Sequence, residues 1–281
     1  MYRPKIEDVK IYILSHGRAD RVHTVRLLKR FNSKFDYRII CDNEDDAIDE
    51  YKKRYGERVY IFDKSKYIEN VDTMDNFKKH NVVVYARNAV YDIANELGDK
   101  YMLVLDDDYT DFTNHLRPDK KYKIYDINKL ILDYYEYLLY SDIWMLALCQ
   151  GGEMMGRDRV VGSSKRKAMN AFFCRADRPV RFIGTINEDT NFYVNDGKIG
   201  RVIMTPLFAG IEQIQTQQNP GGLTEEYISS GTYTKSFYTV MINPSAVKIS
   251  LMGMSYKRYH HLINWEYAVP KILRNASEVK Q

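Results

Sequence analysis

The chain has 281 residues, 44% of them hydrophobic, and its 42 Lys or Arg against 38 Asp or Glu give a formal net charge of +4. That is enough apolar material for one large domain or two small ones, and too little net charge for a polycation. The amino terminus, MYRPKIEDVK, lacks the apolar centre of a secretory leader. No apolar run approaches the roughly 20 residues that a membrane span needs. Cys41, Cys149 and Cys174 are odd in number and far apart, which suits reduced thiols in a cytoplasm. Low-complexity segments, repeats and linker-like breaks are absent, so residues 1–281 read as one domain with no obligate protein partner.

In chain order, Lys10 to Leu14 reads as a first strand running into Ser15-His-Gly-Arg18. Asp20 is placed to cap the following helix, in which Val22, Val25, Leu28 and Phe31 recur at helical spacing. Tyr37 to Cys41 is a second strand ending at Asp42, Ala47 to Tyr55 a helix stopped by Gly56, and Arg58 to Phe62 a third strand. This alternation marks an α/β sheet with crossover helices. Residues 63–80 are polar and give no pattern. Ala89, Val90, Ile93, Ala94 and Leu97 then share one helical face, Gly98 sits at the C-cap, and Arg87 and Asn88 lie in the first turn.

The next stretch organises the rest. Tyr101 to Leu105 has the length and character of a strand buried on both faces in a parallel sheet, and it ends in Asp106, Asp107 and Asp108. Ligands of such sheets bind at the carboxyl ends of the strands. Alternation along extended backbone sends Asp106 and Asp108 to one side and Asp107 to the other. Three adjacent like charges need a cation or open solvent; a hard divalent ion with oxygen ligands, leaving room for a diphosphate, meets that need. A solvated acidic turn is the alternative.

Beyond it, Ile127 to Leu139 reads as a helix, and Ile143 to Leu148 as a strand ending at Gly151-Gly152. Arg157 to Arg181 holds eight Lys or Arg against two Asp, a segment able to meet a phosphate backbone or simply to be solvated. It includes Ala168 to Cys174 and runs up to Val180–Ile183. Asn187-Glu188-Asp189 follows a turn, Arg201 to Met204 and Leu207 to Ile214 read as strands, and Asn219-Pro-Gly-Gly222 as a turn. The tail carries His260 and His261. No Walker-type glycine loop and no G-x-G-x-x-G follows the first strand, and cysteine and histidine are too sparse for a zinc cluster.

These pieces together resemble the GT-A glycosyltransferases, in which a D-x-D motif at a strand end holds a metal ion against a nucleotide-sugar diphosphate. Ser15 to Arg18 resembles that fold's nucleotide-binding first loop. Arg87-Asn88 resembles the Arg-Asn on the helix before the D-x-D strand, and Asn187-Glu188-Asp189 the later acidic motif that supplies an acceptor-activating carboxylate. More narrowly, the serine-x-glycine-arginine opening, the triple Asp, Lys165 to Phe173 and the late His-His before Asn264-Trp265 are similar to a phage group, associated with TET enzymes, that glycosylates hydroxymethylated DNA bases.

The resemblance implies a single GT-A-like α/β domain: a Rossmann-like mixed sheet flanked by helices, with an embellished carboxyl-terminal half. Residues of about 8–150 bind the nucleotide sugar and about 151–281 the acceptor. It implies Mn2+ or Mg2+ held by Asp106 and Asp108, with His261 (or His260) as a further ligand, and a UDP-sugar donor. Ser15, Arg18, Asp42, Arg87, Asp106 and Asp107 would face the donor: the arginines on phosphate, Asp107 near the ribose, Asp42 near the nucleoside. Asp189 is the first choice and Glu188 the second for taking the acceptor proton, with helix capping the alternative role. The implied acceptor is a hydroxymethylated pyrimidine in DNA, with Phe172-Phe173 available to stack an extruded base, and the implied location is the cytoplasm of a host cell. A saccharide or small acceptor, a metal-dependent nuclease or nucleotidyltransferase, and a non-catalytic nucleic-acid binder are the competing readings.

Overall fold

The computed structural model describes residues 2–69, 71–72, 82–117, 120–150, 164–169, 171–214, 224–253 and 257–273. Short apolar runs form its strands and the polar-faced segments between them its helices. In order these are β1 (Val9–Leu14), α1 (His23–Arg30), β2 (Asp36–Asp42), α2 (Ile48–Tyr55), β3 (Val59–Phe62), α3 (Ser65–Ile68) and α4 (Val84–Leu97). Then come β4 (Tyr101–Asp106), β5 (Tyr109–Arg117), β6 (Lys120–Lys123), α5 (Ile127–Leu139), β7 (Ile143–Ala147), β8 (Cys149–Gln150) and β9 (Phe172–Arg175). The remainder is α6 (Glu188–Lys198), β10 (Val202–Met204), β11 (Ala209–Gln213), α7 (Thr224–Ile242), β12 (Val247–Met252), β13 (Arg258–Ile263) and α8 (Trp265–Ala268).

The main sheet has seven strands in the order β10-β7-β9-β4-β1-β2-β3. Four of its six neighbouring pairs are parallel, while β9 runs antiparallel to both β4 and β7. The mixed, helix-flanked, GT-A-like α/β class expected from the sequence is therefore observed. β4 is not inside a purely parallel sheet, however, because one of its two neighbours is β9. Buried parallel and antiparallel strands both read as apolar runs, so strand direction was invisible in the residues.

Alternation divides the sheet's side chains between two cores. Ile11 and Ile13 of β1 and Leu103 and Leu105 of β4 pack with Leu27, Leu28, Tyr51, Ile131 and Tyr135 of α1, α2 and α5. Tyr12, Leu14, Met102 and Val104 face the other way, against Val90, Ile93, Ala94 and Phe192 of α4 and α6. Each such fully buried side chain contributes about 1.5–3 kcal/mol. The adjacent Phe172 and Phe173 divide likewise. Phe172 meets Phe182 and Phe192, and Phe173 stacks on Tyr134 at 4.6 Å. Both are core residues with 1% exposure or less, so neither is available to hold an extruded base.

Several local details differ from expectation. Helix α1 begins at His23, with Val22 at the N-cap and no side-chain cap, leaving Asp20 exposed. Helix α7, the β5–β6 hairpin and β12 carried no clear pattern in the sequence. Gly56 and Gly98 do end their helices, with φ of 59° and 72°, and α5 has the expected bounds, capped by Asp126 through the amides of Asn128 and Lys129. The Asn219–Gly222 turn lies outside the described residues.

Candidate active site

The carboxyl ends of β1, β2 and β4 lie side by side because Leu14 pairs with both Ile40 and Asp106. Here the two cores determine where the acidic side chains go. Asp107 turns towards α1 and α2, accepting hydrogen bonds from Ser15 Oγ at 2.6 Å and Arg18 at 3.0 Å. Tyr51, from the middle of α2, bonds Ser15 Oγ at 2.6 Å and takes the Arg18 amide at 2.9 Å. Burial raises the Asp107 pKa, opposed by Arg18 and Ser15. Thr24 ties this turn to α1: its hydroxyl donates to the Asp106 carbonyl, and its amide to the Asp107 carbonyl. Three of the expected donor residues, Ser15, Arg18 and Asp107, are thus bonded to one another.

Asp106 turns the opposite way, onto the α4 and α6 side. Its Oδ2 lies 3.4 Å from Arg87, whose guanidinium also donates to Glu188. Arg87 is only 2% exposed, with its guanidinium 5.4 Å and 5.6 Å from the ring centres of Phe172 and Phe182. Burial alone would lower its pKa, but Glu188 and Asp106 raise it above the usual value. The neighbouring Asn88 is spent on backbone, exchanging two hydrogen bonds with Phe182. The expected Arg-Asn pair therefore braces the floor of the site.

One cation shared by the buried Glu188 and the half-buried Asp106 leaves an excess of negative charge. Burial pushes both acids up to about 7, with Arg87 opposing and the neighbouring Asp residues adding to the rise. Asp106 Oδ1 is buried and accepts no hydrogen bond in the structure, an arrangement that costs about 1–3 kcal/mol or more unless a ligand completes it. Asp108 lies close enough to raise the Asp106 pKa, and its carbonyl accepts from the Ile214 amide at 3.2 Å.

Glu188 and Asp189 open α6. Asn187, the N-cap residue, has a left-handed φ of 53° and provides no side-chain cap. Its amide instead donates to the Lys235 carbonyl and to Thr239 Oγ1 of α7, at 3.1 Å and 2.8 Å. Glu188 is buried, whereas Asp189 is half-buried and accepts from the Thr190 amide at 2.6 Å. Asp189 thereby satisfies one of the free amides in the first turn of α6. His261 comes to this corner from β13, with Nδ1 3.5 Å from Asn187 and Nε2 3.4 Å from Lys167. Burial and then Lys167 push its pKa down to about 3, so it is neutral. His260 is occupied with the His261 carbonyl. Among the described residues no three His, Cys, Asp or Glu side chains form a ready-made metal cluster.

At the end of β2, Asp42 lies between His16 at 2.8 Å and Lys64 at 2.7 Å. Burial raises its pKa, yet His16 and Lys64 outweigh that and leave it below the usual value. Asp45 takes the Gly17 amide at 2.8 Å, where Gly17 has a φ of 66°. Sequence reasoning missed Asp45, Tyr51, Lys64 and Thr24, and gave His16 and Asn187 no role of their own within their motifs. The recoverable signal was positional: loops after adjacent parallel strands meet at one edge, so polar residues following β1 and β2 had to be neighbours. Lys64, 1% exposed inside a patternless stretch, had no such signal.

Among its described residues the basic segment does not form one face. Arg157 and Arg159 lie outside the described residues, Lys165 pairs with Glu266, and Arg175 with Asp177. Arg178 is buried, donating to the carbonyls of Leu138, Ser141 and Ile143 at the end of α5.

The profile of the TET-associated glycosyltransferase family matches residues 9–222. The chain belongs to that family. It is therefore a glycosyltransferase, and the nuclease and non-catalytic readings fall away. No curated protein matches the sequence. Among solved structures, the glycosyltransferase is similar to glucosyl-3-phosphoglycerate synthase from Mycobacterium tuberculosis in complex with Mn2+, uridine diphosphate and phosphoglyceric acid. Identity is 9%, TM-score 0.47, and 93% of each chain is covered. It is also similar to a mycobacterial protein, at 8% identity and TM-score 0.46, over 91% of this chain and 83% of that one. Among the described residues no helix is long and apolar enough to cross a membrane.

Proposed function

We propose that the protein moves a sugar from a UDP-sugar to the hydroxyl of a hydroxymethylated pyrimidine in DNA, with a divalent metal ion at the triple-Asp turn. The observation that carries the metal reading is the buried, unpartnered Oδ1 of Asp106 beside Asp108. An all-oxygen donor set suits Mn2+ or Mg2+, and Mg2+ is usually held by one or two carboxylates plus substrate phosphates. Asp106 and Asp108 would hold the ion, and when bound it would supply the positive charge that makes a nucleoside diphosphate a competent leaving group.

The remaining work falls to the chain's own residues. Arg18 fixes Asp107 and the first loop, so that Ser15 to Arg18 presents a defined backbone edge to the nucleotide. Arg87 holds Asp106 and Glu188 in place and screens their repulsion. Asp189, the less buried of the α6 pair, takes the proton of the acceptor hydroxyl as that oxygen bonds to the anomeric carbon. The bond from that carbon to the diphosphate breaks in the same displacement, and UDP leaves with the electron pair. Asp42 would reach the nucleoside, and His261 would complete the metal's ligands only by leaving Lys167. Residues 1–281 act as one unit, with about 8–150 on the donor and about 151–281 on the acceptor, in a host-cell cytoplasm.

The acceptor reading draws on the family and on the late histidines. A small or saccharide acceptor is the second reading, favoured by the dispersal of the basic segment and by the burial of Phe172 and Phe173. The test is UDP release from UDP-sugars with Mn2+, with and without hydroxymethylated DNA. Stimulation by the modified DNA alone supports the first reading, and release indifferent to DNA supports the second.

A further inference from the structure

Residues 227–265, beyond the family match, contain Lys235, Lys248, Lys257 and Arg258 and no Asp or Glu. They build the latter part of α7 and the β12–β13 hairpin, and they carry an exposed aromatic group. Tyr233 and Phe237 sit one turn apart on α7, 56% and 47% exposed, with rings within 7° of parallel and 6.5 Å apart. Tyr259 of β13, 42% exposed, lies 5.6 Å from Tyr233. Ser236 Oγ donates to the Tyr259 carbonyl at 3.2 Å, fixing strand to helix. The group is anchored to the candidate active site: Asn187 bonds α7 at Lys235 and Thr239, and His261 lies two residues from Tyr259 on the same strand face.

Exposed rings at fixed spacing, on a segment that carries cations and no carboxylate, match what single-stranded nucleic acid requires: faces on which bases stack and charge that can follow the phosphates. A second copy of this chain fits less well. A twofold contact would bring the same four cations together. Strand alternation also places Leu251 with Tyr259 on one hairpin face, and Met252 with Leu262 on the other, so the exposed aliphatic area is divided.

We propose that Tyr233, Phe237 and Tyr259, with Lys257 two residues from Tyr259, are a stacking platform for single-stranded nucleic acid next to the transfer site. This deepens the DNA-acceptor reading and rests on it. The platform holds the unpaired segment beside the modified base while α6 presents Asp189 to the hydroxyl.

The test uses the full chain and a fluorescein-labelled single-stranded oligonucleotide, read by anisotropy across a salt series. Tyr233→Leu and Tyr259→Leu keep apolar area but remove the π face, and each is expected to weaken binding by about fivefold or more. Lys257→Ala is expected to lower the slope of log affinity against log salt by about 0.7. Donor hydrolysis without DNA stays at the parental rate in all of these variants, which shows that they fold. If oligonucleotide binding depends on the rings but hydroxymethylated DNA never stimulates transfer, the platform stands and the acceptor reading fails. If DNA is glycosylated while both Leu variants keep the parental affinity, the acceptor reading stands and the platform is overturned. Loss of self-association in sedimentation, with oligonucleotide affinity unchanged, also overturns it and assigns the face to a second copy.

Discussion

Asp106 and Asp107 are adjacent in sequence and opposite in circumstance. Asp107 is closed in by Ser15 and the half-covered Arg18, with Tyr51 completing the ring of hydroxyls. Asp106 shares a single buried arginine with Glu188 and keeps one carboxylate oxygen without a partner. One network is complete as protein structure, while the other has a charge and an acceptor atom left over. A ligand is expected where the protein's own bonding is unfinished, so the contrast assigns a bracing role to Asp107 and a binding role to Asp106.

The largest expected effect lies on the unfinished side. Asp189→Asn should slow transfer by about a hundredfold to ten-thousandfold, with the unfolding midpoint unchanged; a variant retaining most of its turnover would remove Asp189 from proton transfer. Next, Arg87→Ala leaves the buried Glu188 and the half-buried Asp106 without a counter-charge and should cost about 3–5 kcal/mol in urea denaturation. Arg87→Lys should recover part of that stability, since the charge returns without the forked geometry. On the finished side, Asp107→Asn should cost less, about 1.5–3 kcal/mol for the charge-assisted bonds to Arg18 and Ser15, and should affect stability more than turnover.

The last comparison is a pH slope. Asp106 and Glu188 stand at about 7 in the folded protein, above ordinary values of 3.8 and 4.5. Folded protein therefore keeps protons that the unfolded chain has already released, and their contribution is full below the ordinary values and lost as pH rises towards 7. Denaturation midpoints should fall between pH 5 and 8 more steeply in the parent than in an Asp106→Asn, Glu188→Gln double variant. Equal slopes would show that the two acids are not held protonated by burial.

The same pair of residues shows what could be read in advance. An apolar run ending in carboxylates announces a strand end, and alternation separates Asp106 from Asp107, so the position of the site and its division were both legible. The partners were not. Arg87 meets Glu188 across 101 residues of sequence, and nothing local specifies that pairing. An arginine buried between two phenylalanines reads the same, in sequence, as one poised for phosphate. Helix α7 was missed because Thr, Ser, Gly and Tyr run through it without a periodic apolar face, and its helical state depends on packing against β12 and β13 rather than on propensity. Asp20 failed as a cap because the chain continues to Val22 before turning, a choice of a few residues that local propensity does not resolve.

The most direct test is calorimetric titration of UDP into the parent protein, Asp106→Asn and Asp107→Asn, each with and without Mn2+. The account predicts Mn2+-dependent UDP binding in the parent and in Asp107→Asn, and its loss in Asp106→Asn. Mn2+-dependent binding that survives Asp106→Asn undiminished would contradict it.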